Sequence, residues 1–151
     1  MNPPDRLTVI AGVRQHLLAR LSTMRESLLE LQSANASNAK STAGDKHDTE
    51  RAMTHMEMAT LSQQVDAEKR LLHELDALER QPSQEIVGPG CIVRTQRHNL
   101  FIGLAFGNVV VENWPVTGIS VQSPLGKELL DLGKGETCSV NGMAHTVVEI
   151  Y

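Results

Sequence analysis

The strongest constraint on this chain is a pair of apolar repeats that mirror each other. From Leu7 to about Asn35, the residues Ile10, Leu17, Leu21, Met24, Leu28 and Leu31 recur at intervals of three and four, the spacing of a coiled-coil seam. Met58, Leu61, Val65, Leu72 and Leu75 repeat the pattern, with Leu71 and Leu78 widening the stripe. Leu31 with Met58, Leu28 with Leu61, Met24 with Val65 and Leu17 with Leu72 each have residue numbers that sum to 89, so the runs fold back about a point between Gly44 and Asp45. A shift of one heptad also matches apolar to apolar, which leaves the register open. Each stripe is too narrow to be stable alone, and a short connection places sequential helices side by side. An antiparallel helical hairpin follows, an arm on the order of 45 Å long at about 1.5 Å per residue. Arg14 and Glu68 interrupt the seam, so pairing within a chain or between chains both stay open, and with them the oligomeric state.

Between the repeats lies "ANASNAKSTAGDKHD", rich in residues that loosen or end a helix. Three acids, Asp45, Asp48 and Glu50, gather at this bend near 40–50. Asp45 or Asp48 suits the N-cap of the second helix, and carboxylates in a first turn are favoured by the helix dipole. Capping uses only one of them.

"RQPSQEIVGPG" ends the helical part, because Pro82 and the Gly-Pro-Gly cannot continue a helix. The chain therefore divides into residues 1–80, the hairpin, and 86–151, a small sheet domain. In the latter, "CIVRTQ" and "NLFIGLAF" read as strands, the second turning through Gly107-Asn108 into "VVVEN", and "GISVQ" as another short strand. Ser123 caps a helix with Pro124 at its first position, "SPLGKELLDL", stopped by Gly133. "TCSV" and "MAHTVVEIY" flank Asn141-Gly142, a strong hairpin signal. The fold class is α+β: an antiparallel coiled-coil hairpin, then a small antiparallel sheet with one helix.

Charge is evenly spread, with 10 basic and 12 acidic side chains in residues 1–80 and 4 and 6 in 81–151, so composition alone gives no broad nucleic-acid surface. Cys91 and Cys138 lack a C-x-x-C spacing and read as small buried thiols. No signal peptide or run of about 18 apolar residues occurs, which implies a cytoplasmic protein with no membrane partner. No nucleophile triad or phosphate-cradling glycine loop is present, His47 between Asp45 and Asp48 lacks a known ligand spacing, and Met53, Met56 and Met58 read as packing. Phe101, Phe106, Trp114 and Tyr151 are too widely placed to argue for an aromatic pocket.

Asp45 and Asp48 are three apart and project on one side of a helix that begins at or just before Asp45. Two carboxylates on a bare tip hold Mg2+ weakly, since that ion keeps its waters and needs further ligands. Such acids suit a site that a partner owns, where a second divalent ion serves phosphodiester chemistry. The alternative is an interaction module whose tip acids are caps and solvating charges.

"AGDKHD" at the bend and "ISVQSPLGKELLDLGKGETCSV" in the second domain together resemble the Gre-type transcript cleavage factors of bacterial RNA polymerase. Gly44-Asp45 and Asp48 match the family's tip; Ile119, Ser120, Val121, Ser123, Pro124, Leu125 and Gly126 match its second domain. The resemblance implies an FKBP-like C-terminal domain docked on bacterial RNA polymerase and a coiled coil entering the polymerase secondary channel. It also implies no cofactor of the chain's own: Asp45 and Asp48 would help hold Mg2+ in the polymerase active site during cleavage of backtracked RNA, so nascent RNA is met only indirectly. The turn Ser123-Pro124-Leu125-Gly126 would belong to the docking surface. Thr49-Glu50-Arg51-Ala52 stands where the family has Asn-Ala-Glu-Tyr, adding a positive charge and removing an aromatic. Relatives in this broad group also occupy the channel and inhibit, so both signs of effect stay open.

Overall fold

The computed structural model describes residues 2–38 and 45–151, with side chains at 38 and 45–47 excepted. Its elements run α1 (Arg6–Asn38), α2 (Asp45–Glu79), β1 (Ile92–Thr95), β2 (Asn99–Ile102), β3 (Gly107–Val111), β4 (Trp114–Ile119), α3 (Pro124–Leu129), β5 (Thr137–Val140) and β6 (Met143–Ile150). The α+β class expected from sequence is observed. By packing, the chain forms two compact units, one of residues 17–70 and one of residues 1–16 with 71–151.

In the unit of residues 17–70, the two helices pair through the expected seam. Leu17, Leu21 and Val65 are buried, and Leu28, Leu31, Met58 and Leu61 are half-buried. Glu68 is buried as well, and Arg20 reaches it with a fork: Nε donates to Oε1 at 2.8 Å and a second nitrogen to Oε2 at 3.2 Å. That pair lies within one residue of the mirror register and excludes the one-heptad shift. Met53 and Met56, expected to pack, are instead exposed; only Met58 of the three falls on the seam.

In the other unit, Asp5 caps α1 by accepting the Thr8 N–H at 2.8 Å. Arg6 satisfies the far end of α2, donating to the Leu78 carbonyl at 2.6 Å and to the Gly90 carbonyl at 2.8 Å. A cation there meets both the orphan carbonyls and the negative end of the helix dipole. Arg14 bonds Asp76 at 3.0 Å and also pairs with Glu79, so its charge at a seam position is matched from α2. Gly12 lets α1 press on the sheet: a Cβ there would lie 2.6 Å from both methyls of Val111.

The sheet order is β3-β4-β2-β1-β6-β5. It is mixed, correcting the antiparallel reading, because β2 pairs with β4 in parallel at Leu100↔Thr117 to Ile102↔Ile119. The expected β2–β3 hairpin at Gly107-Asn108 does not form. The chain leaves β2 at Gly103, whose φ is +106°, and β3 lands on the sheet edge with β4 inserted between. The hairpin is β3–β4, closed at Val111↔Trp114 by Glu112 and Asn113 with φ of 51° and 64°. "GISVQ" ends as strand at Ile119 and continues as a turn. The Asn141-Gly142 hairpin forms as read, joining Val140 to Met143.

One sheet face carries Val93, Leu100, Ile102 and Val147 against Leu129 of α3, with Val87 and Cys91 completing the cluster. Helix α3 stops at Leu129, short of Gly133, because the backbone turns at Asp131 (φ 67°) and pairs with Val87: Asp131 N–H donates to the Val87 carbonyl at 2.9 Å and Val87 N–H to the Leu132 carbonyl at 2.8 Å. Phe101 and Phe106 are buried with their rings 5.6 Å apart, spent on the core. No helix among the described residues is long and apolar enough to cross a membrane.

Candidate functional site

Asp45 is the first residue of α2 and Asp48 lies in its first turn. The Asp48 side chain is exposed, as are Thr49 and Glu50, and among the described residues it has no ion-pair partner. The side chain of Asp45, like Gly44 and the side chain of His47, lies outside the described residues. The helix start puts positions 45 and 48 one turn apart, near the positive end of the helix dipole, where carboxylates are favoured as anions. Arg51, one turn further, is half-buried on the seam side of α2.

Among the described residues no group of three His, Cys, Asp or Glu side chains is placed to hold a metal ion. His55 is exposed and apart from any such group. A carboxylate pair on one helical turn offers two ligands to a cation whose other ligands come from elsewhere.

The Ser123–Gly126 turn is built largely for its own fold. The Ser123 hydroxyl donates to the Ser120 carbonyl at 2.7 Å and accepts the Gly126 N–H at 3.1 Å. A Cβ on Gly126 would lie 2.0 Å from the Ser120 oxygen, so only glycine fits. Leu125 is half-buried against the α3 cluster, and Pro124 is the exposed member of the four. Ser-x-x-Gly is therefore explained by helix initiation, and Pro124 is exposed.

A concave site that the motif reading did not single out sits at the β1–β2 hairpin. A cavity of about 300 Å³ is lined by Arg94, Thr95, Gln96, Arg97, His98, Asn99, Pro115 and Thr117, with no carboxylate among them. The loop is pinned to β6: the Gln96 amide donates to the Ala144 carbonyl at 3.0 Å and accepts the Thr146 N–H at 2.6 Å, and Arg97 Nε reaches the same Ala144 carbonyl at 3.2 Å. His98 stacks on His145 with ring centroids 6.2 Å apart. The signal in the sequence was "RTQRH", two of the four basic residues of an acidic half within four positions.

Burial pushes the Cys91 thiol above its ordinary pKa, and burial together with Glu128 does the same to Cys138. Cys91 is buried and Cys138 half-buried, so the expectation of two buried thiols holds fully only for Cys91. Neither environment generates a thiolate nucleophile. Neither the family models nor the curated proteins compared with this sequence match it.

Proposed function

We propose that the protein is a regulator of transcript elongation that binds bacterial RNA polymerase, with an FKBP-like sheet domain at the channel rim and the α1–α2 bend inserted into the secondary channel. The observation that carries this reading is the exposed Asp48 carboxylate, without a partner among the described residues, in the first turn of a 35-residue helix that opens on Asp45. An acid so placed adds little to its own fold and is free to act in a site belonging to another molecule. The chain itself is not an enzyme in this reading. The Mg2+ belongs to the polymerase and supplies a Lewis acid and an activated water; Asp45 and Asp48 contribute oxygen ligands and orient that water.

Arg51 favours a second outcome at the same location. A cation one turn beyond Asp48, where the family has an acid and an aromatic, opposes recruitment of a further divalent ion and suits a factor that fills the channel and blocks cleavage.

Stalled, backtracked elongation complexes test both. Wild-type protein is expected to change the rate of RNA cleavage, and Asp45→Ala with Asp48→Ala to abolish any stimulation. Full stimulation by the double variant removes these acids from the chemistry. Failure of the wild-type protein to co-purify with polymerase subunits from its own cell lysate favours the interaction-module reading instead.

A further inference from the structure

We propose that the groove at the β1–β2 hairpin binds a phosphate group, as carried by a nucleotide or a nucleic-acid strand, with the Arg94 guanidinium as its principal ligand and Arg97 and His98 beside it. The Arg94 side chain makes no hydrogen bond or ion pair with a described residue, and its Nε is buried without an acceptor. A buried N–H of a permanently charged group is costly to leave unpaired, and other arginines of this chain do find acceptors: Arg6 in the Leu78 and Gly90 carbonyls, Arg14 in the Asp76 carboxylate and Arg20 in that of Glu68. Glu149, the strand partner of Arg94 in β6, gives its carboxylate to Lys134 at 2.9 Å and lines a separate groove with Gln84 and Glu85. The acceptor that Arg94 lacks is therefore one that arrives from outside.

The chemistry of the lining selects an oxyanion. The eight lining residues bring two guanidiniums, an imidazole, two hydroxyls and two amides, in a chain of net charge -4. Arginine presents a planar fork that matches phosphate oxygens, and the hairpin is held in place by its bonds to Ala144 and Thr146, so the ligand pays little to order it. The His145 ring that stacks on His98 belongs to a buried residue, and its Nδ1 has no partner among the described residues. A half-buried guanidinium whose Nε is buried without an acceptor, a carboxylate-free lining and a pinned loop together suit an anion that completes the site.

The test is a titration of the full-length, isotope-labelled protein with inorganic phosphate, adenosine monophosphate and an octauridylate, followed by amide and imidazole NMR shifts. All three probes are expected to move Thr95 to Asn99 and the His98 ring if a single phosphoryl group suffices. Response to the octauridylate alone assigns the site to a nucleic-acid strand. Arg94→Gln is expected to weaken binding at least roughly tenfold, Arg94→Lys less because it keeps the charge and loses the fork, and Lys127→Gln on α3 not at all. Should Arg94→Gln fail to fold, the exposed Arg97→Gln is read in the same way. No shift at the hairpin with any probe at about 10 mM, or undiminished binding by the folded arginine variants, overturns the proposal.

Discussion

Burial, with the nearby charges of His98 and Arg97, holds the His145 imidazole below its ordinary pKa. The folded state thus binds a proton less readily than the unfolded chain, and the sign follows: stability is full above the unfolded value near 6.5 and falls as pH drops below it. Between about pH 7 and 5, the wild-type melting temperature is expected to fall more than that of His145→Gln, measured by circular dichroism at constant ionic strength. Equal slopes sink this account. Gly126 is the other single residue on which much rests. Gly126→Ala drives a methyl into the Ser120 carbonyl, so a loss of about 2 kcal/mol or more is expected in urea unfolding, with the α3 amides losing protection first.

At the scale of elements, the coiled coil carries a test in the Arg20–Glu68 pair. Arg20→Ala leaves a buried carboxylate unmatched and is expected to cost on the order of 3 kcal/mol, whereas Arg20→Met with Glu68→Leu is expected to be at least as stable as wild type. Thermal melts of the single and double variants decide it. Helix α1 meets β3 at Gly12, where Ala improves helix propensity by about 1 kcal/mol yet meets two methyls at 2.6 Å. The clash is expected to win in Gly12→Ala, and Val111→Ala in the same chain to recover part of the loss, a coupling that a double-mutant cycle measures. Local signals sufficed for the Asn141-Gly142 hairpin and for the Ser123-Pro124 cap. They failed at β3–β4, because Glu112 adopts a positive φ with no glycine to announce it, and Gly107-Asn108 carried the turn composition instead.

At the scale of the molecule, the packing boundary differs from the boundary in composition. Residues 1–16 and 71–80 belong with the sheet, and Val9, Ile10, Val13 and Leu75 are all buried. A fragment of residues 81–151 loses those side chains and the Arg6 bond to Gly90. It is expected to lack a cooperative melt, while a chain keeping residues 1–16 and 71–80, joined by a short linker, retains one. A cooperative transition in the shorter fragment overturns this. Asp45 and Asp48 stand out in the sequence because a hairpin centre is a matter of residue number, and the structure adds that α2 opens on Asp45 with the Asp48 side chain exposed. The β1–β2 groove was not legible there, since "RTQRH" acquires meaning only when Arg94 is found without an acceptor and the loop is pinned to β6.

What the sequence by itself determined was whatever depends on neighbours a few positions apart: two amphipathic helices from a seven-residue repeat, the change to strands after Pro82, one tight hairpin and one capped helix. Tertiary structure decided what depends on residues far apart. The helix register is seen in the pair of half-buried Arg20 with buried Glu68, the parallel β2–β4 contact in the chain's exit at Gly103, and the division into units in the burial of α1 and α2 ends with the sheet. Periodicity states which face of an element is buried; which partner buries it is set by long-range packing and by where each polar group finds its bond.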